Sequence, residues 1–185
     1  MSLWKALGIG TGRQEEPREG RTSAGGAQAD TETVRKIAAQ LQKMEPARAR
    51  YTAAFAYILS RVANADLSIS EQETREMERI VREVGGFGEG QAALVVEMAK
   101  THSMLFGGTE DFLVTREFEK NATREEKMAL LGCMFAVGAA DGSIRSDEES
   151  VIKQTASELK LDRADYIAVR LRYKEHLAVL RGLRR

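Results

Sequence analysis

The sequence predicts an all-α protein, a compact bundle of seven to eight helices. Three observations carry that prediction. Apolar residues recur at spacings of three and four from about Asp30 onward, and no stretch alternates long enough to make a strand. Proline occurs only at Pro17 and Pro46, in a chain rich in the helix formers Ala, Leu, Glu and Arg. The 185 residues, 43% of them hydrophobic, suffice for one domain with a substantial core.

The elements follow in order. Val34, Ile37, Leu41 and Met44 form a first stripe, with Asp30 or Thr31 as N-cap and Pro46 as stop. Tyr51, Phe55, Ile58, Leu59 and Val62 form a second, stronger one. Met77, Ile80, Val81 and Val84 define a third helix, ended by Gly85 and Gly86. Leu94, Val95 and Met98 mark a fourth. Phe112, Leu113 and Phe118 suggest a short helix within the stretch from Gly107 to Asn121. Met128, Leu131, Met134 and Phe135 begin the next. Val151, Ile152, Thr155 and Leu159 follow, and Tyr166, Val169, Tyr173, Leu177 and Leu180 close the series.

Residues 1–29 read instead as a flexible N-terminal tail, and 30–185 as the helical domain. Six of the 16 glycines fall in the tail, among charges and with little to bury. Leu3, Trp4 and Leu7 can share one face of a short helical turn, which would serve as an interfacial anchor or docking peptide. So small an apolar area favours a loosely packed start.

Composition removes several classes of function. Lys+Arg and Asp+Glu both number 28, so the net charge is zero and an overall cationic nucleic-acid binder is excluded. One cysteine excludes a disulfide framework and a four-cysteine zinc site. No apolar run approaches the ~18 residues of a membrane span, and no leader-like apolar region opens the chain. The expected location is cytoplasmic, with peripheral membrane contact through the tail as the alternative.

The most informative feature is an internal repeat. VANADLSISEQET from Val62 matches VGAADGSIRSDEES from Val137, an offset of 75 residues (137 − 62). Asp66 pairs with Asp141, Ser68 with Ser143, Ile69 with Ile144 and Glu73 with Glu148. A strong apolar helix precedes each copy and a charged amphipathic one follows. The arrangement suggests two related units about a pseudo-twofold axis. In each copy Asp ends a helix, Ile plugs the turn, and Glu falls in the first turn of the next helix, where the macrodipole favours a carboxylate. Gly142 can supply a left-handed turn residue that Leu67 supplies less comfortably.

The spacing is similar to the second half of an EF-hand loop. The first and third ligand positions would be Val62 and Asn64, or Val137 and Ala139, which lack the required carboxylates. A closer resemblance is to the TerB-like (tellurite-resistance B) family, whose motif A-D-G-x-I-x-x-x-E is matched by AADGSIRSDEE from Ala139 and by ADLSISEQE from Ala65, the latter with Leu67 in place of glycine. The resemblance covers roughly Asp30 to Leu180. It implies an all-helical protein of two pseudo-symmetric halves, tied to resistance to tellurite and other chemical stress. It also implies metal binding through clustered acids and no established catalysis.

Asp66, Glu73, Asp141 and Glu148 are therefore the candidate metal ligands. Converging carboxylates repel unless a cation neutralises them, and an all-oxygen set suits Ca²⁺, Mn²⁺ or Mg²⁺. The competing reading is structural. Ser70 with Glu73, and Ser146 with Glu149, have capping-box spacing, while Asp66 and Asp141 can cap turns. His102 and His176 read as structural, and Cys133 as core. The glycines from Gly85 to Gly90 have no preceding strand and no G-K-[ST], so they are not a phosphate loop. Arg170, Arg172, Lys174, Arg181, Arg184 and Arg185 complement the end of the last helix. The expected function is a non-enzymatic stress-response module that binds a divalent cation, a partner protein, or both. The alternative is a helical adaptor without metal, recruited to a membrane or complex by its tail. No base and nucleophile are paired for hydrolysis.

Overall fold

The computed structural model describes residues 26–63, 70–105 and 111–178. Among them lie eight α-helices: α1 (Gly26–Gln42), α2 (Pro46–Ala63), α3 (Glu71–Glu83), α4 (Glu89–Leu105), α5 (Asp111–Asn121), α6 (Arg124–Gly138), α7 (Ser146–Glu158) and α8 (Arg163–Arg172). A 3₁₀ turn, Lys174–His176, follows. The all-α prediction holds. No described helix is long and apolar enough to cross a membrane. The expectations for residues 1–25, Asp66, Leu67, Ile69 and Leu180 lie outside the described residues.

The chain divides into two compact units, residues 1–50 and 51–185. In the first, α1 starts at Gly26, ahead of the expected Asp30, because Ala27, Gln28 and Ala29 are all compatible with helix. Ile37 and Leu41 are buried. Pro46 does not stop this helix; it opens the next one, where its missing N–H is no loss. The Glu45 carboxylate accepts the backbone N–H groups of Ala47 (2.9 Å) and Arg48 (3.1 Å), so an acid satisfies the positive helix end.

The second unit is built around α2 and α6. Every residue from Thr52 to Ser60 is buried, as expected of a helix apolar nearly all round. The buried Ser60 hydroxyl donates to the Tyr57 carbonyl at 2.7 Å, which removes the cost of an unsatisfied donor. Phe55 meets Phe87 at 4.7 Å and Phe118 at 6.4 Å between ring centroids, and Tyr51 stacks on Phe118 at 5.2 Å. These rings join α2 to the α3–α4 connection and to α5. In α6, Leu130 to Phe135 are buried without interruption. Helix α3 packs on α4 and α6, α6 on α7 and α8, and α5 on α7. Leu113 is 62% exposed, so Val114 and Phe118 carry the buried face of α5 instead.

The last stripe does not continue as one helix. Helix α8 stops at Arg172, and Leu177 is extended at φ −71°, ψ 115°. The cause is a parallel bridge between Ile144 and Leu177. The Ile144 N–H donates to the His176 carbonyl at 2.7 Å, and the Ala178 N–H donates to the Ile144 carbonyl at 3.0 Å. Both side chains are fully buried, and that burial, with the two bonds, offsets the helical bonds forgone.

Candidate functional site

The helices that precede the two motif copies converge at their ends. Gly138 faces Val62 across this meeting point, where a Cβ would stand at ordinary contact distance, 3.4 Å, from Cγ1 of Val62, so the ends of α6 and α2 pack directly on each other. This contact brings the flanks of both copies to one cleft of about 1020 Å³. Val62 and Ala63 from α2 line it, with Ser70, Glu73 and Arg79 from the start and middle of α3. The other wall is Val137, Gly138, Ala140 and Asp141 at the end of α6, with Arg145 and Glu148 leading into α7.

Three of the four predicted acids, Glu73, Asp141 and Glu148, thus border the same space. Asp66 lies outside the described residues. Glu73 forms a complete capping box: its Oε2 accepts the Ser70 backbone N–H at 2.7 Å, and the Ser70 hydroxyl accepts the Glu73 N–H at 3.2 Å. The bond from the Ser70 backbone holds the Glu73 carboxyl below the usual range. In the second copy the N-cap is Arg145, not Ser146. Glu148 Oε2 accepts the Arg145 backbone N–H at 2.8 Å, and Oε1 lies 3.2 Å from Nη2 of the same arginine. An arginine side chain has no acceptor, so only half of a capping box exists here. Ser70 and Arg145 occupy the same position of the repeat, with φ/ψ of −65°/163° and −72°/160°. The two copies therefore share backbone conformation at this cap residue.

Asp141 sits beyond the end of α6. Its Oδ1 accepts the Ser143 N–H at 3.0 Å, an Asx turn that aims the chain into α7. Gly142 takes φ 92°, the left-handed conformation expected of it. Glu148 is the most chemically unusual member. It is only 9% exposed, and burial pushes its carboxyl up, against the opposing bonds from Arg145 and with the added repulsion of Asp141 and Asp147.

A raised carboxyl in the folded state has a definite consequence for pH. Above the unfolded value the native chain holds more protons than the unfolded one, so stability falls as pH rises from about 4.5 through the raised value. Glu148→Gln is expected to remove this loss. Wild type should approach or exceed the variant near pH 4 and drop below that relation by pH 7, as measured by urea denaturation. An unchanged stability difference across that range would refute the buried, strained carboxylate.

The lining carries five acids (Glu71, Glu73, Glu76, Asp141, Glu148) against three arginines (Arg75, Arg79, Arg145), an acidic excess of two. The arginines are already engaged: Arg79 binds Glu76 and Glu83 at 2.6 Å, Arg75 lies 3.5 Å from Glu71, and Arg145 reaches Asp147 at 3.3 Å. All donors are oxygen, the chemistry of a hard cation. Among the described residues, however, no three Asp, Glu, His or Cys side chains are grouped to hold a metal ion. The donor type fits, but no ligand shell is preassembled.

Sequence reasoning missed Arg145. Its signal was present, since it replaces the N-cap serine of the first copy. Reasoning also misassigned Glu149, which caps nothing; it is bound by Arg170 at 2.5 Å and Tyr166 at 3.3 Å, fastening α7 to α8. Cys133 is core as expected, with its thiol pushed up to about 12 by burial.

The family model of tellurite resistance protein TerB matches residues 51–171, more than half of the chain and both motif copies. The chain belongs to the TerB family. No curated protein and no solved structure matches it. The TerB match begins where the second unit begins, at Tyr51 within α2, and runs to Leu171 near the end of α8, so the acidic cleft is part of the TerB domain. The 3₁₀ turn and the bridge partner Leu177 lie beyond the matched segment.

Proposed function

We propose that this TerB domain is a non-enzymatic stress-response module whose acidic cleft binds a divalent cation. One observation carries the reading: Glu73, from one motif copy, and Asp141 with Glu148, from the other, border a single cleft with an excess of acid. Asp66, in the first copy, is the fourth proposed ligand. A cation would take the role now filled for Glu148 by the Arg145 guanidinium, and would relieve the charge cost that burial imposes on this carboxylate. Oxygen donors make Ca²⁺, Mn²⁺ or Mg²⁺ the expected ions. The Cys133 thiol is buried and pushed up to about 12, which argues against a thiol nucleophile. The cytoplasm is the proposed location. A tail-mediated membrane contact belongs to the adaptor alternative.

A second reading is favoured by the cleft's size. About 1020 Å³ holds far more than an ion, so a basic segment of a partner protein is the alternative occupant. The test is a titration of Ca²⁺, Mn²⁺ and Mg²⁺ into the metal-free protein while its melting temperature is followed. A cation specific to the folded state stabilises it by about 2.7 kcal/mol at ~100 times its dissociation constant. One ion should raise the melting temperature saturably, and the Asp141→Asn, Glu148→Gln double variant should lose that response. If no cation has a saturable effect on wild type, the cation reading is wrong and the protein-partner or adaptor reading replaces it.

A further inference from the structure

The geometry points to residues 173–178 as a latch on the second acidic turn: when this strap opens, the turn that presents Asp141 and Glu148 opens with it. The strap is fastened at three places. The Tyr173 ring stacks on Phe135 at 5.6 Å with 9° between planes, and its hydroxyl donates to the Gly132 carbonyl at 3.2 Å. His176 Nδ1 lies 3.4 Å from the Gly142 carbonyl. The Ile144–Leu177 bridge uses both backbone polar groups of Ile144, at 2.7 and 3.0 Å.

Ile144 stands between the two acids in sequence, and each neighbour of Ile144 donates its N–H to one of them. Ser143 donates to Asp141 at 3.0 Å, and Arg145 donates to Glu148 at 2.8 Å. With Ile144 and Leu177 both fully buried, release of the strap takes both hydrogen-bond partners from the Ile144 backbone and uncovers its apolar side chain, in the middle of this three-residue segment. The segment then has a reason to rearrange, and both carboxylates lose their aim. The bridge partner Leu177 lies beyond residue 171, where the family match ends. By reciprocity, anything that binds the ordered turn also closes the strap; this half rests on the cation reading above, while the mechanical half does not.

Ala178→Pro tests the mechanical half. It deletes the N–H that bonds to Ile144 without opening a cavity, and Leu177 already has the extended conformation preferred before proline. Amide exchange at Ser143 and Arg145 is expected to accelerate at least tenfold, with the amides of Met134 and Ile80 unchanged. Leu177→Ala, which removes the buried plug, should act in the same direction. Unchanged exchange at Ser143 and Arg145 in Ala178→Pro would overturn the latch, whatever cations do. In the second arm, saturating CaCl₂ on wild type should slow exchange at Ala178 by the same factor as at Ile144. Slowing confined to residues 141–148 would refute the coupling, whereas no slowing anywhere would count against the Ca²⁺ reading and leave the first arm to decide the latch.

Discussion

Arg61→Leu is expected to cost about 3–5 kcal/mol of folding stability, because it strands a buried carboxylate. The Arg61 guanidinium lies 2.7 Å from Glu158, with the two side chains only 8% and 12% exposed, and also donates to the Thr115 hydroxyl at 3.3 Å. The pair ties the end of α2, which leads into the first motif copy, to the end of α7, which follows the second. Burial pushes the Glu158 carboxyl up, but hydrogen bonds from Arg61, Gln154 and Thr115 outweigh it, and the net direction is down. A lowered carboxyl contributes stability that is present above the unfolded value and lost as pH falls through the folded one. In the variant the share of that opposition due to Arg61 is gone, so the carboxyl moves up relative to wild type. The deficit should therefore be larger at pH 7 than at pH 4, in chemical denaturation at both. Arg61→Leu combined with Glu158→Leu should recover much of the loss, as replacing a whole buried pair costs less than breaking it. A single-variant cost below about 1 kcal/mol, or one independent of pH, would mean the pair is solvated in practice.

Phe135→Ala should be comparably damaging, at about 3–5 kcal/mol, through the loss of a large buried side chain and the cavity it leaves. Phe135 is fully buried. Its ring meets Tyr173 at 5.6 Å and Tyr166 at 6.0 Å, so it is where α6, α8 and the strap pack together. Aromatic pairs of this kind add roughly 0.5–1.5 kcal/mol to area burial. The variant's denaturation midpoint should fall with an unchanged slope, which marks lost stability and not a changed unfolded state. Phe135→Leu, which refills part of the volume, should lose markedly less. If the alanine variant lies within about 1 kcal/mol of wild type, the site collapses around the gap and the ring is not the keystone described.

How much of this was legible in the sequence depends on the distance over which each feature is decided. The buried stripes of α2 and α6 follow from apolar spacing, since Phe55, Ile58, Leu59, Leu131 and Phe135 are enclosed as their periodicity requires. The second turn and the helix start after the first were legible because the motif repeats. Gly142 takes its left-handed conformation, and Ser70 with Glu73 closes a capping box, through contacts no more than three residues apart. The second copy was misread by one residue because the N-cap there is an arginine. Capping chemistry pointed to the nearby serine, while the backbone followed the register of the repeat. The strand-like pairing of Leu177 left no local trace, since an apolar residue at helical spacing looks the same whether it continues a helix or crosses to Ile144.

The sequence by itself determined the helical class, the membership that the doubled acidic motif advertises, and the local role of each motif glutamate at a helix start. These rest on hydrophobic period, backbone conformation and hydrogen bonds between near neighbours. Only the tertiary structure decided that Glu73 shares a cleft with Asp141 and Glu148, that Glu158 is held down by an arginine 97 residues away, and that the chain's last described residues fasten the second turn. Such features come from helix ends meeting in space and from burial of whole side chains. Both depend on what lies opposite in space, which no window of neighbouring residues contains.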